Sequence, residues 1–197
     1  MMACLVEFKQ NNSKSELYSK MEADFVLTIK KVNSKKLFQE FYQFPFELYE
    51  DQDYWVPPFW KEFNDFFKEK NPFWSHAKAA LFIAYKNNMP VGRIAAFIDT
   101  LYCKSYQKNT GFFGYFECVD DESIAQTLFQ TAEQWLKDRD IQVMQGPIDG
   151  RIDNGCGFLC NGFNEQQSLL SSYSKKYYYL ILFRLVFDIF QIFVALC

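Results

Sequence analysis

The chain has 197 residues and a mass of 23.4 kDa, enough for one domain and at most two. Hydrophobic residues make up 49% and charged residues 23%, so a sizeable core can be buried. A net charge of -3 and a pI of about 5.3 argue against DNA or RNA as a partner, because no basic electrostatic footprint is present.

Residues 1–20 are polar after a short apolar start and read as a loose extension. MMACLVEFKQNNSK has neither a basic opening nor a long apolar core, so no secretory signal is read there. Met21 is a more natural start, and EADFVLTIKKV follows as a strand in which Phe25, Leu27 and Ile29 alternate with Val26, Thr28 and Lys30. Ser34 stands where a helix N-cap belongs. The helix after it carries an apolar stripe of Leu37, Phe38, Phe41, Tyr42 and Phe44; Pro45 need not end the pattern but should kink or interrupt it.

Trp55-Val56-Pro57-Pro58 reads as a rigid extended turn. FWKEFNDFFKEK then forms a helix with aromatics at Phe59, Trp60, Phe63, Phe66 and Phe67, stopped by Asn71-Pro72. Together with a total of 23 Phe, 12 Tyr and 4 Trp, the stripe is read first as core packing and second as the lining of a substrate groove. Residues 79–86 form a buried strand and Asn87-Asn88 a hairpin turn. Residues 91–98 return as its partner, with Gly92 marking a bulge or a close backbone approach. Residues 102–109 read as a polar loop and residues 111–119 as the third strand of the meander. The next helix puts Ile124, Ala125, Leu128, Phe129, Ala132, Trp135 and Leu136 on one face. Residues 141–144 are a short strand ended by Gln145-Gly146-Pro147, and Gly155, Gly157 and Gly162 punctuate a loop region.

The fragments YEDQDYWVPPFW, KNPFWSHAKAALFIA, VGRIAAFID, GFFGYFECVDD and QGPIDGRIDNGCGFLCNGF occur in this order. Together they resemble a subgroup of bacterial GNAT-like proteins, the acyl-CoA N-acyltransferase superfamily, over roughly residues 21 to 180. Such proteins are about twice as long, so this chain resembles their N-terminal half. The implied fold class is α+β, with a mixed, mostly antiparallel sheet flanked by helices and the C-terminal strands missing. The implied activity is transfer of an acetyl or other acyl group from acyl-CoA to an unknown amine acceptor, without a metal.

In that family acyl-CoA lies in a V-shaped opening between the fourth and fifth strands. The pantetheine arm pairs with the fourth strand, and the pyrophosphate sits on the N-terminus of the following helix, usually in a Gln/Arg-x-x-Gly-x-Gly/Ala loop. By position, residues 111–119 resemble the fourth strand, 121–137 the helix and 143–145 the fifth strand. The cofactor-binding candidates are therefore Cys118, Val119, Asp120, Asp121 and Ser123. The sequence there reads CVDDES, with no glycine and no basic or amide residue. Asp120, Asp121 and Glu122 can cap the helix amides themselves and repel phosphate, so an acidic N-cap stands beside the CoA reading.

Glu117, near the end of the fourth-like strand, is the candidate general base for an amine, and a solvent-facing or salt-bridged carboxylate is its structural alternative. Tyr115, two residues earlier on the same strand face, is the candidate acid for the leaving thiolate. His76 reads as structural. The six cysteines form no CxxC pair and there is one histidine, so a zinc site is not expected, nor is a thiol nucleophile at Cys156 or Cys160. Free thiols and the missing signal suit a cytoplasmic setting. DNGCGFLCNGF, with Asp153 and Asn154, is a second candidate loop, read by default as a glycine-rich turn. Related proteins tend to carry Asn and Ser where Asp149 and Arg151 stand.

Three segments result: the extension 1–20, an incomplete GNAT-like domain over 21–176, and an apolar tail over 177–197. YYYLILFRLVFDIFQIFVALC is long enough to span a bilayer, but Arg184 and Asp188 make a span costly. A buried terminal element, a membrane anchor and a scrambled tail are its three readings. An open sheet edge would favour self-association. The alternatives to an N-acyltransferase are a non-catalytic GNAT-like module without CoA binding and a membrane-attached protein.

Overall fold

The computed structural model describes residues 27–151, 154–159, 161–168 and 171–185. The extension 1–20, Met21, Phe25, Val26, Asp153, Cys160 and residues 186–197 of the tail lie outside the described residues.

Five strands form one sheet in the order β1-β2-β3-β4-β5: β1 Leu27–Lys31, β2 Ala77–Lys86, β3 Met89–Asp99, β4 Thr110–Cys118 and β5 Val143–Gln145. The first four are antiparallel neighbours, and β5 runs parallel to β4. The helices are α1 Lys35–Leu48, α2 Trp60–Phe66, α3 Thr100–Tyr106, α4 Glu122–Lys137 and α5 Tyr178–Leu185. This is the α+β class and the mixed, mostly antiparallel sheet that the sequence implied.

Local chemistry accounts for the elements. Asn87 and Asn88 both take positive φ, 54° and 63°, as a two-residue hairpin turn between β2 and β3 requires. Ser34 accepts a hydrogen bond from the Leu37 amide and starts α1. Residues 80–85 are buried without alternation because helices cover both faces of the sheet. On one face α4 lays Ile124, Leu128, Phe129 and Leu136 over Ile94, Ala96 and Phe113. On the other, Phe41 of α1 and Phe63 and Phe66 of α2 pack on Ile83, Ala95 and Phe97.

One local expectation is revised, and one is made specific. Residues 100–106, read largely as a polar loop, form α3, because the Asp99 carboxylate accepts from the Leu101 and Tyr102 amides and Gln107 closes the turn in the left-handed region. The signal was Asp99, which reads equally well as the end of β3. α1 also runs through Pro45 to Leu48. Proline has no amide to give the carbonyl four residues back, which is that of Phe41. That carbonyl instead accepts from Arg93 Nη1 of β3 at 2.6 Å.

Among the described residues no helix is long and apolar enough to cross a membrane. The tail reading concerns mostly residues outside the description; inside it, Tyr178 and Ile181 of α5 are buried in the core shared with α4.

Asp121 is the N-cap of α4 and accepts from the Ser123 and Ile124 amides at 3.0 and 3.4 Å. Asp121→Ala should cost about 1 kcal/mol of stability, read as a lower denaturant midpoint with unchanged slope.

Candidate active site

The outer flank of β4 is where the sheet ceases to be a ladder. β5 pairs with β4 over three residues, Thr110↔Val143, Gly111↔Met144 and Phe112↔Gln145, and then leaves it. Beyond that point β4 is held by single contacts. The Ile148 amide donates to the Phe113 carbonyl at 2.7 Å, and the Tyr115 amide donates to Asp149 Oδ1 at 2.6 Å. The Cys118 amide donates to the Tyr178 hydroxyl at 2.8 Å, while the Tyr177 hydroxyl donates to the Cys118 carbonyl at 2.7 Å. Gly114 permits the approach of residues 146–149, since a Cβ there would collide with the Ile148 carbonyl.

β4 is also bulged. Arg93 opposes Glu117 and Ala95 opposes Gly114, so Tyr115 and Phe116 together face Ile94 alone. Tyr115 adopts φ 49°, a conformation that costs a bulky residue energy. The Asp149 bond to its amide and the Asn154 amide bond to its hydroxyl, 3.1 Å, hold it there, with the rings of Phe41, Phe63, Phe67 and Phe97 around it.

Glu117 and Tyr115 thus lie on the α1 side of the sheet, both partly exposed. Asp149 is partly exposed beside them, and Arg93 lies beneath, 6% exposed. Glu117 Oε2 accepts from two phenols, Tyr49 at the end of α1 and Tyr178 at the start of α5, each at 2.7 Å. Both tyrosines are 1% exposed. Arg93 sits between the rings of Phe41 (4.9 Å) and Tyr115 (5.7 Å), and its Nε has no partner among the described residues. It acts on Glu117 and Asp149 through its charge.

Burial pushes the Glu117 carboxyl up to about 7, against the pull of Arg93 and the bonds from Tyr178 and Tyr49. Burial also raises Asp149, to about 6, opposed by the Tyr115 amide and Arg93. Desolvation, with the charge of Asp149, lifts the Tyr115 phenol well above its ordinary value. The result is a pair of carboxyls, Glu117 and Asp149, held on one flank of β4 where burial opposes their ionisation.

The five residues expected to bind cofactor follow directly in sequence. Cys118 is fully buried, with its carbonyl held by Tyr177 and its amide by Tyr178 at the start of α5. The Val119 amide donates to the Val91 carbonyl. Asp120 is exposed beside the helix start. Asp121 caps α4 through the Ser123 and Ile124 amides, accepts from the Ser123 hydroxyl at 2.6 Å and pairs with Lys86 at 3.3 Å. Its burial opposes ionisation, but those bonds hold it below the usual carboxylate range. The helix start is therefore already filled by the chain's own carboxylate.

His76 lies at the far end of β3, bonded to Asp99 at 2.9 Å and stacked edge-on with Phe73. Six residues of strand separate Asp99 from Arg93, roughly 20 Å, which removes His76 from the Glu117 site. Cys156 bridges to Ile148. Among the described residues no group of three His, Cys, Asp or Glu side chains is placed to hold a metal ion. Sequence reading missed Tyr49, Arg93, Asp149 and Tyr178; the one local signal was Arg93 itself, a lone charge inside the apolar run VGRIAAF.

No family model matches the chain. It is 35% identical over 145 residues to Protein YghO of Escherichia coli (strain K12), covering 74% of this chain and 37% of that protein. It is 31% identical over 153 residues to the bacterial ceramide synthase of Caulobacter vibrioides, covering 77% of this chain and 40% of that protein. The chain thus spans about two fifths of the length of these curated relatives. Among solved structures it is similar to an aminoglycoside acetyltransferase from an uncultured soil metagenomic sample in complex with sisomicin, with TM-score 0.45 and 14% identity over 65% of this chain and 80% of that one. It is likewise similar to a GNAT-family acetyltransferase from Staphylococcus aureus Mu50, with TM-score 0.45 and 14% identity over 64% and 75% of the two chains. The observed topology is an antiparallel β1–β4 run, a helix after β4, and a parallel β5 that pairs briefly with β4 and then departs. Over its described residues, the chain has a GNAT-like fold.

Proposed function

We propose that this chain carries the core of an acyl-CoA-dependent N-acyltransferase, with Glu117 as the group that takes the proton of the acceptor amine. The observation that carries the reading is Glu117: a partly exposed residue on the strand that leaves its neighbour, with a carboxyl that burial raises to about 7. An ammonium gives one proton to Glu117. The freed nitrogen attacks the thioester carbonyl, the C–S bond breaks, and the second N–H proton leaves with the thiolate. The products are an amide and CoA–SH, with Glu117 returning its proton to water. Tyr115, two residues away on the same face, is the candidate relay for that second proton: its phenol protonates the thiolate and takes up the proton that the nitrogen releases. The ceramide synthase relative supports the reaction type, because a ceramide is the amide of a fatty acid and a long-chain amine.

Acyl-CoA would lie along Cys118, Val119, Asp120, Asp121 and Ser123. Its pyrophosphate would displace the Asp121 carboxylate from the Ser123 and Ile124 amides. The occupied helix start favours a second reading, a GNAT-like interaction module without CoA binding.

Calorimetric titration of the full chain with acetyl-CoA and CoA separates the two. Micromolar binding is expected, tightened about tenfold by Asp121→Ala, which frees the amides and removes a like charge. No heat up to millimolar ligand from a folded, monodisperse sample overturns the enzyme reading. Where CoA binds, Glu117→Gln should lower acyl transfer to a primary amine about 100-fold with little change in CoA affinity.

The same carboxyl makes stability depend on pH. Glu117 and Asp149 both hold protons more tightly in the folded chain, to about 7 and 6, than their ordinary values of 4.5 and 3.8. Their contribution is full below about pH 4 and lost as pH rises through 6 and 7. Glu117→Gln should therefore melt above the parent at pH 8, by on the order of 2 kcal/mol, and match it near pH 4.

A further inference from the structure

We propose that Tyr49 and Tyr178 are positioning residues that pin Oε2 of Glu117 and leave Oε1 as the oxygen presented to the amine. The inference rests on the reading of Glu117 as the base and adds which atom of it acts, and why. A carboxylate has two equivalent oxygens, and a free one rotates between them. Here one oxygen receives two phenolic protons at 2.7 Å each. Oε1 receives no hydrogen bond from the described residues, and Glu117 keeps some solvent exposure.

Neither phenol is free to swing. Tyr49 is stacked on Trp55 at 5.0 Å between ring centres, packs edge-on against Tyr173, and has the Lys175 ammonium 5.2 Å from its ring. The Tyr178 hydroxyl also accepts from the Cys118 amide, which fixes its oxygen; its single proton has Glu117 at 2.7 Å as the nearer acceptor and the Cys118 carbonyl at 3.2 Å as the farther one, and its ring lies against Phe116, Phe158 and Tyr177. The two tyrosines come from opposite ends of the domain, 68 and 61 residues from Glu117. The remaining charged or titratable groups facing Glu117 are Arg93 across β3, Asp149 beside β4, and Cys118 and Tyr177 at the strand end. Arg93 acts on the carboxylate as a whole and does not choose between its oxygens.

The test is a carboxyl-carbon NMR titration of Glu117 in the full chain, made for the parent, Tyr49→Phe, Tyr178→Phe and Tyr177→Phe. Tyr49→Phe deletes a hydroxyl whose one bond among the described residues is to Glu117, so it is the clean variant. Tyr178→Phe also strands the Cys118 amide and can lose stability for that reason. Tyr177→Phe removes an adjacent phenol that bonds Cys118 and not Glu117. The expected result is a Glu117 midpoint raised by about one pH unit in Tyr49→Phe, as in any folded Tyr178→Phe, with the midpoint of Tyr177→Phe unmoved. The acid limb of acyl transfer should move by the same amount, with KM for acyl-CoA unchanged. An unmoved midpoint in folded Tyr49→Phe overturns the clamp alone. A Glu117→Gln chain that transfers acyl groups as fast as the parent overturns the base reading, and the clamp's role with it.

Discussion

The bond from Arg93 to the Phe41 carbonyl is the constraint on which the α1 side of the molecule depends. Arginine in the middle of a β-strand under a helix is costly unless its donors find acceptors. α1 supplies one because Pro45, having no amide, leaves the carbonyl of Phe41 unclaimed. A defect in the helix thereby becomes a socket for a charge. That charge in turn offsets part of the cost of holding Glu117 and Asp149 beside each other away from bulk water. The helix, the strand and the two carboxyls are one electrostatic unit, and a change at Pro45 reaches Glu117 through it.

The surroundings of that unit are expensive in the way functional sites often are. Tyr115 occupies a left-handed backbone position in a bulge, Arg93 Nε has no partner, and two acids sit where ionisation is opposed. The compensating interactions are aromatic. Phe38, Phe41, Tyr42, Phe63 and Phe67 form a nearly continuous set of ring contacts that reaches Tyr115, so the abundance of Phe is core packing on this face of the sheet.

Much of the fold was legible because it is local. The Asn87-Asn88 turn, the apolar face of α4 and the Ser34 cap each declare themselves within a few residues. So did the likelihood that Asp121 would cap α4. Glu117 and Tyr115 were read onto one strand, and β4 carries both on one face as a two-residue spacing implies, even across a bulge. The partners that give Glu117 its properties were not legible. Arg93, Tyr49, Asp149 and Tyr178 come from four other segments, and no local pattern records that a phenol at the end of one helix meets a carboxylate 68 residues later. α3 escaped because an aspartate ending a strand and an aspartate capping a helix look alike until the backbone turns.

The contacts along the outer flank of β4 have a consequence for aggregation. A bare strand edge is a template on which any extended chain can add itself. On this flank the backbone groups of Phe113, Tyr115 and Cys118 are taken one at a time by an amide, a carboxylate and two phenols, each from a segment that is not a strand. An intruding strand would find no continuous row of donors and acceptors, only isolated groups set at irregular intervals by a bulge. The same irregularity thus guards the flank of β4 that β5 leaves uncovered against the addition of a strand.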